Sequence, residues 1–96
     1  MLAVVGMLSE AEKLVLRYVP RISKSDSNIF SEKQLTKKKA LREIEVDRVL
    51  KSLQDAGLVQ PVKRKVWQTT PLGRKVAHEV MEQWLRRRFD FETVRR

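Results

Sequence analysis

The sequence predicts a mainly α-helical fold with a small β-hairpin: a three-helix core, the hairpin, and a long C-terminal helix. Three observations predict it. Two capping boxes, Ser9-Glu10-Ala11-Glu12 and Ser31-Glu32-Lys33-Gln34, each mark a helix start. Two short β-branched runs flank the basic tripeptide Lys63-Arg64-Lys65, and Thr70-Pro71 then opens a further helical pattern. The length, 96 residues, suits one small domain with a modest core and leaves no room for a deep substrate pocket behind a second layer.

The stretch Met1 to Leu8 is apolar, has no basic residue before it, is shorter than a membrane span and lacks a signal-cleavage pattern. It is read as mature protein, either a flexible leader or an arm that buries its side chains against a partner subunit. After it, the Ser9 hydroxyl caps free amides of the first turn while Glu12 reaches back, so a helix is predicted over Glu10 to Val19. Ala11, Leu14, Val15, Tyr18 and Ile22 form its apolar stripe, and Pro20 marks its expected end. A polar linker, Ser23 to Asn28, leads to a very short strand at Asn28-Ile29-Phe30.

The second helix is expected from Glu32, carries Leu35 inward, and closes in a tight connection near Ala40-Leu41. The third is predicted from Arg42 or Glu43 to Ala56, with Val46, Val49, Leu50 and Leu53 on one face and Gly57 as a left-handed cap. Ile44, Arg48, Lys51, Ser52 and Asp55 occupy its opposite face. Leu58 to Val62 and Val66 to Thr70 then form the hairpin with a basic tip, and the last helix runs to Arg88 or beyond. That helix has two apolar rows. Val76, Val80 and Trp84 can close the core; Ala77, Met81, Leu85 and Arg88, with Phe89 and Phe91, offer a seam for a second copy. The organisation is therefore an N-terminal apolar arm at 1–8, a folded domain at 9–75, and a C-terminal helix with a dimerisation surface and basic tail at 76–96. Met81, Leu85 and Phe89 are the expected dimer contacts.

Charge narrows the partner. The net charge is +9 and the pI about 10.4, which favours a polyanion, because clustered Lys and Arg release condensed counterions on neutralising phosphates. The charge is also uneven. Residues 21–42 carry seven bases against two acids, and residues 61–75 carry five bases and no acid; the interval 43–60 is net negative. Lys37-Lys38-Lys39 is either a phosphate clamp or a solvated helix end, and the basic block around it favours the clamp. Trp67, beside the hairpin tip, can stack on a sugar or base; an aromatic on a hairpin strand more often packs against its own domain.

Cysteine is absent, which removes disulfides and thiolate metal sites and fits a reducing, cytoplasmic setting. No Gly-rich phosphate loop, metal-ligand spacing or nucleophile set occurs, and His78 is the sole histidine. The expectation is a protein that is not an enzyme and needs no metal or cofactor. Glu79 and Glu82 are ordinary members of a charged helix face.

Between Leu35 and Gly73 the chain resembles the winged helix-turn-helix fold of small bacterial and archaeal transcription regulators, including the multiple-antibiotic-resistance regulator group. The resemblance covers roughly residues 9 to 88. It is carried by the spacing from Leu35 to Val46-Asp47-Arg48-Val49-Leu50, by Leu53-Gln54-Asp55-Ala56-Gly57-Leu58-Val59, and by Thr69-Thr70-Pro71-Leu72-Gly73. It implies that the third helix enters the DNA major groove while the hairpin, as a wing, reaches the adjacent backbone or minor groove. The implied contacts are Arg42, Glu43, Ile44, Arg48 and Lys51, with Lys63, Arg64 and Lys65 at the wing. Arg42 and Arg48 are the candidates for bidentate contact with guanine.

Two features depart from the family pattern. Arg42 and Ala40 stand where relatives carry a small hydroxyl residue and a glycine. Glu43, Glu45 and Asp47 suit a helix N-terminus yet repel phosphates. Either Lys37, Lys38, Lys39 and the wing grip phosphates on both sides while a glutamate accepts from cytosine, or this surface does not meet DNA. The expected partner is double-stranded DNA, bound by a homodimer, with no membrane and no identifiable effector. The alternatives are a protein-contact module in a transcription assembly and a structured-RNA-binding protein.

Overall fold

A computed structural model describes residues 6–23 and 27–94, without the side chains of 89–94. The elements are α1 (Glu10–Ile22), β1 (Ile29–Ser31), α2 (Glu32–Thr36), a 3-10 turn (Lys39–Leu41), α3 (Val46–Asp55), β2 (Val59–Lys63), β3 (Val66–Thr69) and α4 (Pro71–Val94). The chain is mainly helical with one small antiparallel sheet, in the strand order β1-β3-β2.

Both capping boxes form. Ser9 Oγ accepts from the Glu12 amide at 3.2 Å while the Ser9 amide donates to Glu12 Oε1 at 3.0 Å, and Ser31 and Gln34 repeat the pattern. Helix α1 does not stop at Pro20. That proline sits in the last turn, and the helix ends at Ser23, whose amide and hydroxyl both donate to the Val19 carbonyl. The buried arc of α1 is also wider than one stripe. Val15, Leu16 and Val19 are fully enclosed and Leu14, Tyr18 and Ile22 partly so, because α1 packs against α2, α3 and α4 together.

The start of α3 differs more. A helix from Arg42 would set Ile44 about 200° from Val46, on the outward face. Instead the chain turns through 42–45, Ile44 packs against the core, and helix begins at Val46 with no side-chain cap from Glu45. Burial of Leu41, Ile44 and Val46 together requires that break. At its other end α3 closes in a Schellman motif: Gly57 has φ 79, its amide donates to Gln54, and the Leu58 amide donates back to Leu53.

β3 is the central strand. It pairs Phe30 with Trp67 on one side and Val59 with Thr69 on the other, and the β2 register shifts between Pro61 and Lys63. Thr70 joins three elements: its amide donates to Leu58, its hydroxyl donates to Gly57 at 2.7 Å, and the same oxygen accepts from the Gly73 amide at 3.0 Å, capping α4. Val76, Ala77 and Val80 of α4 close the core, which also takes in Leu8. The boundaries drawn after residues 8 and 75 therefore fall inside one packing unit. Arg17 of α1 lies 3.9 Å over the Trp84 ring, which ties the far part of α4 to α1, and Arg88 of α4 itself lies 5.5 Å from the same ring.

Candidate nucleic-acid interface

Two exposed basic groups stand at the ends of α2, and Arg74, Lys75, Arg86, Arg87 and Arg88 are exposed apart from them on α4. Lys63 ends β2, Arg64 and Lys65 make the turn, and all three are exposed. Lys65 holds φ 61 without being glycine, a conformation that costs an L-residue about 1–2 kcal/mol. Its carbonyl accepts from the Glu32 amide at 3.0 Å. Trp67, only 6% exposed, donates Nε1 to Glu32 Oε2 at 2.9 Å. The indole thus packs, as the sequence favoured, and two bonds to one residue fasten the hairpin to the first turn of α2.

Beyond the other end of α2, the Lys37 amide donates to Lys33 and Leu35, Lys38 is extended, and Lys39 opens the 3-10 turn. Lys37, Lys39 and Arg42 are exposed and Lys38 is half-buried. The five residues of α2 span about 8 Å, so one short helix separates the two basic groups.

Arg42 and Glu43 lie in the turn before α3 rather than on it, and Ile44 is turned toward the core, so Ile44 is withdrawn as an outward contact. Arg48 and Lys51 are on the exposed face of α3. Arg48 pairs with Glu45 at 3.4 Å, and Asp47 and Asp55 share the exposed surface with Lys51. The outward face of α3 is therefore close to neutral, and the positive charge stands to either side of it. Ser52, placed on that face from sequence, is exposed and donates to Glu12 Oε2 of α1 at 3.2 Å.

Comparison with known protein families, with curated proteins and with solved structures gave no match. Glu32, the residue that orients the hairpin, was not foreseen as anything but a capping-box member. Its partner Trp67 lies 35 positions away, and no local spacing signals such a bond.

On α4, Leu85 is 50% exposed and Met81 half-buried, while Phe89 lies outside the described side chains. His78 is exposed and contacts Glu82 at 3.1 Å. Among the described residues no group of three or more His, Asp or Glu is placed to hold a metal ion, and no helix is long and apolar enough to cross a membrane.

Proposed function

We propose that this protein binds duplex DNA as a winged helix-turn-helix module and acts as a transcription regulator or chromosome-associated factor. The observation that carries the proposal is the pair of exposed basic groups flanking α2, with the hairpin held against that helix by Glu32. Lys63, Arg64 and Lys65 on one side, and Lys37, Lys39 and Arg42 on the other, grip phosphates; Lys38 contributes from its half-buried site. The near-neutral face of α3 lies toward the bases, where Arg48 and Lys51 donate and Glu43 accepts from a cytosine amino group.

Leu85, half exposed, with the half-buried Met81 one turn before it, supports a homodimer through α4, with Phe89 continuing the row in sequence. A two-fold dimer of this kind favours a palindromic site with half-sites about 34–36 Å apart.

Fluorescence-anisotropy titration of random duplex DNA at several salt concentrations tests the proposal, with an RNA hairpin and an acidic polypeptide alongside. Tight binding to duplex with steep salt dependence is the expected result. Loss of duplex binding even at low salt, with the acidic polypeptide bound, sinks it in favour of a protein-contact module. The balanced charge on α3 is the observation that favours that second reading.

A further inference from the structure

Between the first half of α1 and the far part of α4 lies a groove of about 200 Å³. Its charged lining is three bases against one acid: Lys13 and Arg17 of α1 and Arg87 of α4 stand with Glu10. Lys13 is 3.8 Å from Glu10, so that acid is already engaged. None of the ion pairs among the described residues takes in Arg17 or Arg87. Arg17 Nε is enclosed without a hydrogen-bond partner, and the Trp84 ring 3.9 Å away, rather than a carboxylate, fixes where that charge stands. Arg86 and Arg88, both exposed, add positive charge on either side of Arg87 in the chain.

Like charges gathered half-buried repel one another and lose water, a cost that an anion arriving from outside offsets. The rest of the lining narrows the kind of anion. Gln83 is neutral, Val80 is buried, and Leu14 and Trp84 are half-buried, so no apolar side chain in the groove is exposed to anchor a peptide. The indole already holds Arg17 at 3.9 Å and Arg88 at 5.5 Å, which leaves it poorly placed to stack on an unpaired base. What the groove presents is charge on long side chains, and that suits a repeating phosphate backbone.

The groove is also turned away from α3. Glu12 of α1 reaches Ser52 of α3, and Lys13 and Arg17 stand about 100° and 140° round α1 from Glu12. On α4, Arg87 stands about 160° round the helix from Leu85, so the seam proposed for a second copy leaves the groove open.

We propose that this groove is a second backbone-binding surface for duplex DNA, so that a protein joined to one duplex through the wing and α2 holds another at the α1–α4 seam. The inference rests on the duplex reading of the basic groups at α2. It makes the protein a bridge between two duplexes, the second held through phosphates and without regard to sequence.

The test captures a fluorescent duplex on beads that carry a second, immobilised duplex, with the full chain added, beside anisotropy titrations of one duplex in solution. The parent should retain the fluorescent duplex, with retention falling steeply as salt rises. Lys13→Gln combined with Arg87→Gln should cut retention by about tenfold or more, while single-duplex affinity falls by no more than about twofold because the wing remains. Arg87→Glu, at an exposed position, should do the same, and it keeps the test valid if the half-buried Lys13 does not tolerate glutamine. Unchanged retention in these variants overturns the proposal and assigns bridging to the two wings of a dimer. Retention of fluorescent polyglutamate in place of duplex overturns it in favour of an acidic protein. A parent that binds single duplexes but retains no second one overturns it while leaving the duplex reading standing; failure to bind any duplex removes both.

Discussion

Trp67 and Glu32 join the central strand to the first turn of α2 through a single 2.9 Å hydrogen bond between indole and carboxylate. Trp67→Phe should lower unfolding stability by about 1.5–3 kcal/mol, the range for hydrogen bonds to charged groups, measured by denaturant midpoint. Glu32→Gln keeps an acceptor and should lose less than half as much. Equal losses in the two variants would show that the carboxylate charge, and not the bond, holds the hairpin.

Gly73 lies against Leu58, and a β-carbon on residue 73 would overlap the Leu58 carbonyl oxygen and stand 2.9 Å from Thr69 Cγ2. Alanine in a helix normally gains about 1 kcal/mol over glycine. Here Gly73→Ala should instead destabilise by about 1–3 kcal/mol, because the obstacle is backbone. Gly57→Ala meets no neighbour, and should cost about 1–2 kcal/mol through its left-handed φ alone. Thermal melts of the two variants separate a packing cost from a conformational one.

What could be read from the sequence is what is local. Ser9 with Glu12, Ser31 with Gln34, Gly57 and Thr70-Pro71 each act within a few residues, and each does as its type dictates. The start of α3 was misplaced because helical spacing alone cannot tell that Ile44 must go inward; that is decided by the core it meets. Leu16 escaped notice for a related reason, since three helices surround α1 and the simple stripe assumes one. The exposed bases of the candidate interface were visible as charge blocks. The pairing of Arg48 with Glu45 and of Trp67 with Glu32 depends on geometry that charge counting does not contain.

Lys65 separates conformational strain from charge. Lys65→Gly relieves a left-handed lysine and should leave stability unchanged or raise it by up to about 1 kcal/mol. If the hairpin grips phosphates, the same change weakens duplex binding on all sequences and makes the slope of log K against log salt shallower by about 0.9. An unchanged slope would remove this tip from the interface.

Glu45 restrains Arg48 in an exposed pair, so Glu45→Gln should alter stability by less than about 1 kcal/mol. It should strengthen duplex binding at low salt, with the gain fading as salt rises. Anisotropy titrations at two ionic strengths decide this, and weaker binding at both would mean that Glu45 itself is a contact.

Leu85 is half exposed on α4, so Leu85→Glu in a monomer should change stability by no more than about 0.5 kcal/mol. If α4 forms the proposed seam, the same variant converts dimer to monomer in sedimentation experiments. Retention of the parent's mass would place any self-association elsewhere.

The sheet has its own bearing on assembly. A strand at a rim invites strands from other molecules by offering an unbroken row of amides and carbonyls. On the β2 rim that row is interrupted: Pro61 has no amide hydrogen, the register slips at Val62, and Lys63 follows with its charge. The opposite rim, β1, is three residues long. Neither side can template a long added strand, so crowding this protein should not drive it toward fibres, and growth by strand addition is blocked at both borders of the sheet.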